Sequence, residues 1–112
     1  MSTFDLRTTD LEAMPWGGVY AIEDSLHKKV WLAASSNIVK SWAQNLESLN
    51  ESDHPVVDFQ FDWDKSPGLF KFKVIITLPP ESGVVVRHAA LHEARQAYQR
   101  NYYTLYEENS ND

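Results

Sequence analysis

Gly18-Val19-Tyr20, then Trp31-Leu32-Ala33, then Ser35-Ser36-Asn37-Ile38-Val39-Lys40-Ser41-Trp42 lie in close succession. Gly18 to Glu23 alternates small or apolar positions with Tyr20 and Ile22, the period of a strand. Asp24 to Lys29 is polar and turn-forming, and Val30 to Ala33 is a short apolar run, so the two runs form a hairpin. Ser36 or Asn37 then offers a short side-chain oxygen to the free amides of a helix start. Ile38, Val39, Trp42, Ala43, Leu46 and Leu49 recur at three- and four-residue steps, one apolar stripe of a helix ending near Asn50. A hairpin leading into an amphipathic helix is thus set within the first half of the chain.

Outward from that unit, Val57, Phe59, Phe61 and Trp63 alternate with Asp58, Gln60 and Asp62, which predicts a strand over 57–63. Asp64-Lys65-Ser66-Pro67-Gly68 is turn chemistry, and the alternation from Phe70 to Leu78 predicts a further strand, the two forming a second hairpin. After Pro79-Pro80 a long helix is expected from about Val85 to Tyr106, with Leu91, Ala94, Tyr98, Tyr102 and Leu105 facing the core. Tyr98, Tyr102 and Tyr106 share one stripe of that helix, which suits packing better than base stacking, and Tyr103 is the exposed one. The expected fold is α+β, a small antiparallel sheet flanked by helices. Residues 1–14 read as an irregular arm, 15–106 as one domain and 107–112 as a disordered acidic tail.

With 112 residues, 43% of them hydrophobic, the chain can bury one core without staples. It has no cysteine, which excludes disulfide scaffolds and thiolate metal sites and suits a reducing compartment. No apolar run has the length of a membrane span and no signal peptide is visible, so the expected location is cytoplasmic, with no membrane contact. Ten basic residues against sixteen acidic ones give a net charge of −6. A strongly basic footprint is what tight nonspecific nucleic-acid binding needs, and this chain lacks it.

The ordered set resembles the GIY-YIG nuclease domain. Gly18-Val19-Tyr20 looks like the first tripeptide and Trp31-Leu32-Ala33 like the second, with tryptophan for tyrosine and alanine for glycine. Ser35-Ser36-Asn37-Ile38 is similar to the segment that opens the family's helix. The arginine of that helix falls at Ser41, and a frequent histidine falls at Asn45. Glu93 is similar to the glutamate that holds a divalent metal, Mg²⁺ or Mn²⁺. By this resemblance the catalytic positions are Tyr20, Trp31, Ser41 and Glu93, with Glu93 the metal ligand.

Hydrolysing a phosphodiester takes a base for the attacking water, a cation for the charge that develops on the transition state, and usually a metal. Tyr20 is the candidate base. Neutral Ser41 supplies no guanidinium, and Trp31 retains only an indole N–H as donor. Lys40 is turned about 100° from Ser41 on the helix, and neither Arg87 nor Arg95 is an obvious substitute. The implied function is a degenerate nuclease-like domain with weak or no hydrolytic activity, serving as an interaction module for protein or weakly held DNA. The alternatives are an active metal-dependent DNA endonuclease of this type, and an unrelated α+β interaction domain. Convergence of Tyr20, Ser41 and Glu93 on one concave face discriminates the last. His88 and His92, four residues apart on one helix, lack a third ligand and read as surface residues, while His27 and His54 lie in loops and suggest nothing specific.

Overall fold

A computed structural model describes residues 16–106. The arm expected over 1–14 and the tail expected over 107–112 lie outside the described residues. The elements are β1 (Gly17–Asp24), β2 (Lys29–Ser35), α1 (Ile38–Asn50), α2 (Val57–Lys65), a 3₁₀ turn (Pro67–Leu69), β3 (Lys71–Leu78), α3 (Val84–Arg100) and β4 (Thr104–Leu105). The sheet runs β3-β1-β2-β4, with β1 antiparallel to both neighbours and the two-residue β4 parallel to β2. The fold is α+β, as the patterning indicates. Among the described residues no helix is long and apolar enough to cross a membrane.

Every residue of β1 is buried because helices cover both faces of the sheet. On one face Tyr20, Ile22, Phe72 and Val74 pack against Ile38, Trp42 and Leu49 of α1 and against Val56 and Phe59 at α2. On the other, Glu23 and Lys73 form a 2.5 Å ion pair beside Ala97 and Tyr98 of α3. The hairpin tip is held by Asp24, whose Oδ1 accepts the Leu26 and His27 amides while Oδ2 pairs with the His27 ring at 2.7 Å. Gly18 sits at φ +137°, and a Cβ there would stand 2.0 Å from the Ile76 carbonyl oxygen. The register of β3 against β1 shifts between Val19 and Tyr20, so this crowded crossing of two backbones admits only glycine.

Two expectations for the middle of the chain are overturned. Residues 57–63 are helical, not a strand, and β3 pairs with β1 rather than closing a second hairpin. The alternation of Phe59, Phe61 and Trp63 misleads because Phe61 and Val57 point to solvent, at 62% and 68% exposure. The inward set is Val56, Phe59, Gln60 and Trp63, a helical step that includes a polar residue. Gln60 is tolerated there because its side chain donates to the Leu49 carbonyl and to Asp64 and accepts the His54 amide. Asp58 in the first turn and Lys65 in the last match the helix dipole.

The last helix stops at Arg100, short of the expected Tyr106. The Tyr103 amide reaches back to the Tyr98 carbonyl and the Tyr102 amide to that of Gln99, a Schellman closure. Its left-handed position, usually glycine, is Tyr102 at φ +65°, and this residue is 85% exposed rather than in the core. Tyr103, expected outside, is half-buried, its ring edge-on to Tyr98 at 5.0 Å. The chain then folds back, the Tyr106 amide donating to the Val30 carbonyl and the Tyr106 ring stacking on Phe59.

Candidate active site

Tyr20 projects from the central strand toward the first turns of α1. That helix is anchored at its start by Asn37, whose Oδ1 accepts the Lys40 amide at 3.0 Å, and by the Ile38 amide donating to the Trp16 carbonyl. The cap fixes the rotation of α1, so Ser41 faces the strand. Its Oγ lies 2.6 Å from the Tyr20 hydroxyl. Asn45, one turn later, donates from Nδ2 to the same hydroxyl at 2.6 Å and to the Ser41 carbonyl at 3.1 Å.

The amide orientation of Asn45 is fixed from the other side. Its Oδ1 lies 2.8 Å from His54 Nε2, and His54 Nδ1 accepts the Val56 amide at 3.1 Å. Since Nδ1 is an acceptor, the proton of neutral His54 is on Nε2, and it is donated to Asn45. The first two hydrogen bonds then run in one direction, His54 to Asn45 and Asn45 to Tyr20, and the Tyr20 and Ser41 hydroxyls share the last. No member of this chain carries a formal charge. His54 and Tyr20 are both buried, and the Trp31 ring meets the His54 ring edge-on at 5.6 Å and packs on Phe59.

Burial pushes the Tyr20 phenol up to about 12, against the smaller opposing effect of its hydrogen bonds with Ser41 and Asn45. Tyr20 is therefore protonated at neutral pH, with no exposed surface.

Beyond Ser41 opens a cavity of about 440 Å³, lined by Trp31, Leu32, Ala34, Ser41, Arg95 and Tyr106 among others. It lies along the outer edge of β2, where β4 pairs only with Lys29 and Val30 and, among the described residues, no strand pairs with the rest. Arg95, which the sequence offers as no obvious substitute for the missing cation, reaches this cavity from α3. Glu93 stands on the exposed flank of the same helix and is not part of the lining. Among the described residues the lining contains no carboxylate, and no three His, Asp or Glu side chains converge. Mg²⁺ needs oxygen ligands, commonly one or two carboxylates with phosphate and water. The described side chains around Ser41 do not by themselves fit a protein-held divalent ion.

Of the residues marked out by sequence, Tyr20, Trp31 and Ser41 meet, and Glu93 does not join them. Asn45 and His54 complete the site without a motif to announce His54. Asp62 at its margin accepts from Lys29 Nζ and the Tyr106 hydroxyl, each at 2.8 Å, tying α2 to the strand edge.

No family model matches the chain. It is 22% identical over 69 residues to intron-associated endonuclease 1 of enterobacteria phage T4, a match covering 62% of this chain and only 28% of that protein. Among solved structures, the catalytic domain of homing endonuclease I-TevI superposes with a TM-score of 0.69 at 15% identity, over 82% of this chain and 99% of that one. A mutant form of the catalytic domain of intron endonuclease I-TevI gives 0.57 at 19% identity, over 76% and 82%.

Proposed function

We propose that this domain, GIY-YIG-like in fold, binds a ligand in its nuclease-like cleft and has weak or no hydrolytic activity. One observation carries the reading: the Tyr20 hydroxyl is wholly buried, protonated and committed to two neutral partners. Activating water needs a group that can take a proton near neutral pH and reach the substrate. Tyr20 meets neither condition in this arrangement. Ser41 adds no charge where a transferring phosphoryl group asks for one, and loss of such an arginine costs about 10³–10⁵ in rate. The ligand is a protein or weakly held DNA, and the lack of cysteine supports a cytoplasmic setting.

The second reading is a divalent-metal-dependent endonuclease, favoured by the presence of Arg95 in the cavity that Ser41 lines. The two separate in one assay. Purified protein is incubated with supercoiled and linear DNA in Mg²⁺ or Mn²⁺. Binding without cleavage is expected, and Ser41→Arg alone leaves that unchanged while Tyr20 stays enclosed. Turnover that vanishes in Tyr20→Phe and Glu93→Ala would overturn the first reading.

A further inference from the structure

We propose that Arg95 makes the cavity beside Ser41 a phosphate site, its positive charge delivered from α3 instead of α1. The inference rests on the reading of the cleft as a binding site. Arg95 has no hydrogen-bond or ion-pair partner among the described residues, in a chain whose acids outnumber its bases. An unpaired guanidinium is a ready-made fork for a tetrahedral oxyanion, with up to two parallel N–H donors.

The rest of the cavity supplies donors. Val30 turns its carbonyl outward to the Tyr106 amide, and residues two apart on a strand turn their backbone groups to the same side. Leu32 and Ala34 therefore present their N–H groups at the open edge of β2, inside the cavity that Arg95 reaches. The Ser41 hydroxyl also lines this cavity, and its hydrogen can turn to an acceptor there when the Tyr20 phenol donates the bond between them. Among the described residues no carboxylate lines the space to repel an anion. Its volume, about 440 Å³, takes a nucleotide-sized group and not merely an ion.

The line of α3 that carries Arg95 is also free of acids. His88, His92, Arg95 and Gln99 are spaced by four, three and four residues, so they share one exposed stripe leading away from the cavity. Glu93 is off that stripe. A phosphate chain seated at Arg95 thus has further donors along the helix and no acid on the same line.

The full chain, labelled with ¹⁵N, is titrated with inorganic phosphate, with acetate at equal ionic strength, and with a short DNA duplex. Phosphate and duplex are expected to shift the Arg95 Nε–H, the Leu32 and Ala34 amides and the Trp31 indole N–H, and acetate much less. Arg95→Gln, at an exposed position that leaves folding intact, weakens phosphate binding at least about tenfold, and Arg95→Lys retains part of it. Phosphate that leaves these signals unmoved, acetate that matches it, or affinity unchanged in Arg95→Gln would each overturn the proposal. Cleavage of DNA by the unaltered protein would instead remove the binding-only reading and leave the phosphate assignment standing.

Discussion

Tyr20 on the central strand and His54 in the loop between α1 and α2 share a single side chain, that of Asn45, which accepts from the imidazole and donates to the phenol. The bridge ties three segments into one buried polar unit. A buried donor or acceptor left without its partner costs roughly 1–3 kcal/mol, so the unit is held as a whole or strained as a whole.

His54→Ala therefore destabilises the domain by roughly 2–4 kcal/mol, since it strands both Asn45 Oδ1 and the Val56 amide and removes a packed ring beside Trp31. Urea denaturation measures the loss. In the unaltered protein, two-bond ¹H–¹⁵N spectra are expected to show the proton on Nε2. A proton on Nδ1 would reverse the assigned direction of the bonds.

The raised Tyr20 pKa has a defined sign. The phenol is harder to ionise in the folded state than at its ordinary value of 10.0, so its contribution is intact below that pH and is lost as pH rises toward about 12. Stability should fall along this alkaline limb, and Tyr20→Phe should remove that part of the fall while lowering stability at neutral pH by roughly 1–2 kcal/mol. Denaturation midpoints across pH 9–12 check both.

Asp62 produces the opposite limb. Burial alone would raise its pKa, but Lys29 and the Tyr106 hydroxyl more than offset this and hold it below 3.8. The stabilisation is present above that value and fades as pH drops through the lower folded one. Asp62→Asn should flatten the acid limb and cost roughly 1 kcal/mol at pH 7, a modest figure because Lys29 is partly solvated.

Tyr102 occupies a left-handed position with its side chain almost wholly in solvent. Tyr102→Gly relieves about 1 kcal/mol of backbone strain, part of which returns as chain entropy, so a small rise in Tm is expected. The same exchange reversed, Gly18→Ala, meets the Ile76 carbonyl and should leave little folded protein, read by the loss of near-ultraviolet circular dichroism.

Legibility in the sequence tracks how local each cause is. The β1–β2 hairpin, the Asn37 cap and the stripe of α1 are set by neighbours in the chain, and they bring Tyr20, Trp31 and Ser41 together. The α2 segment is read wrongly because Phe61 and Val57 are aromatic and β-branched yet exposed, while buried Gln60 is polar; only the tertiary bonds to Leu49 and His54 explain that inversion. The end of α3 is missed because a tyrosine fills the position where glycine ordinarily signals a stop. His54 has no spacing relation to Tyr20 that a sequence would show. Arg95 is misjudged because its direction depends on how α3 lies across β2.

The neutrality of the His54–Asn45–Tyr20–Ser41 chain separates two properties of the cleft. Dissolved ions, which compete with the guanidinium of Arg95 at the rim, exert almost no force on dipoles held beneath it. The floor is thus far less sensitive to ionic strength than the grip of the rim. Substitutions at the rim can alter affinity without disturbing the floor, which leaves this part of the molecule open to new partners.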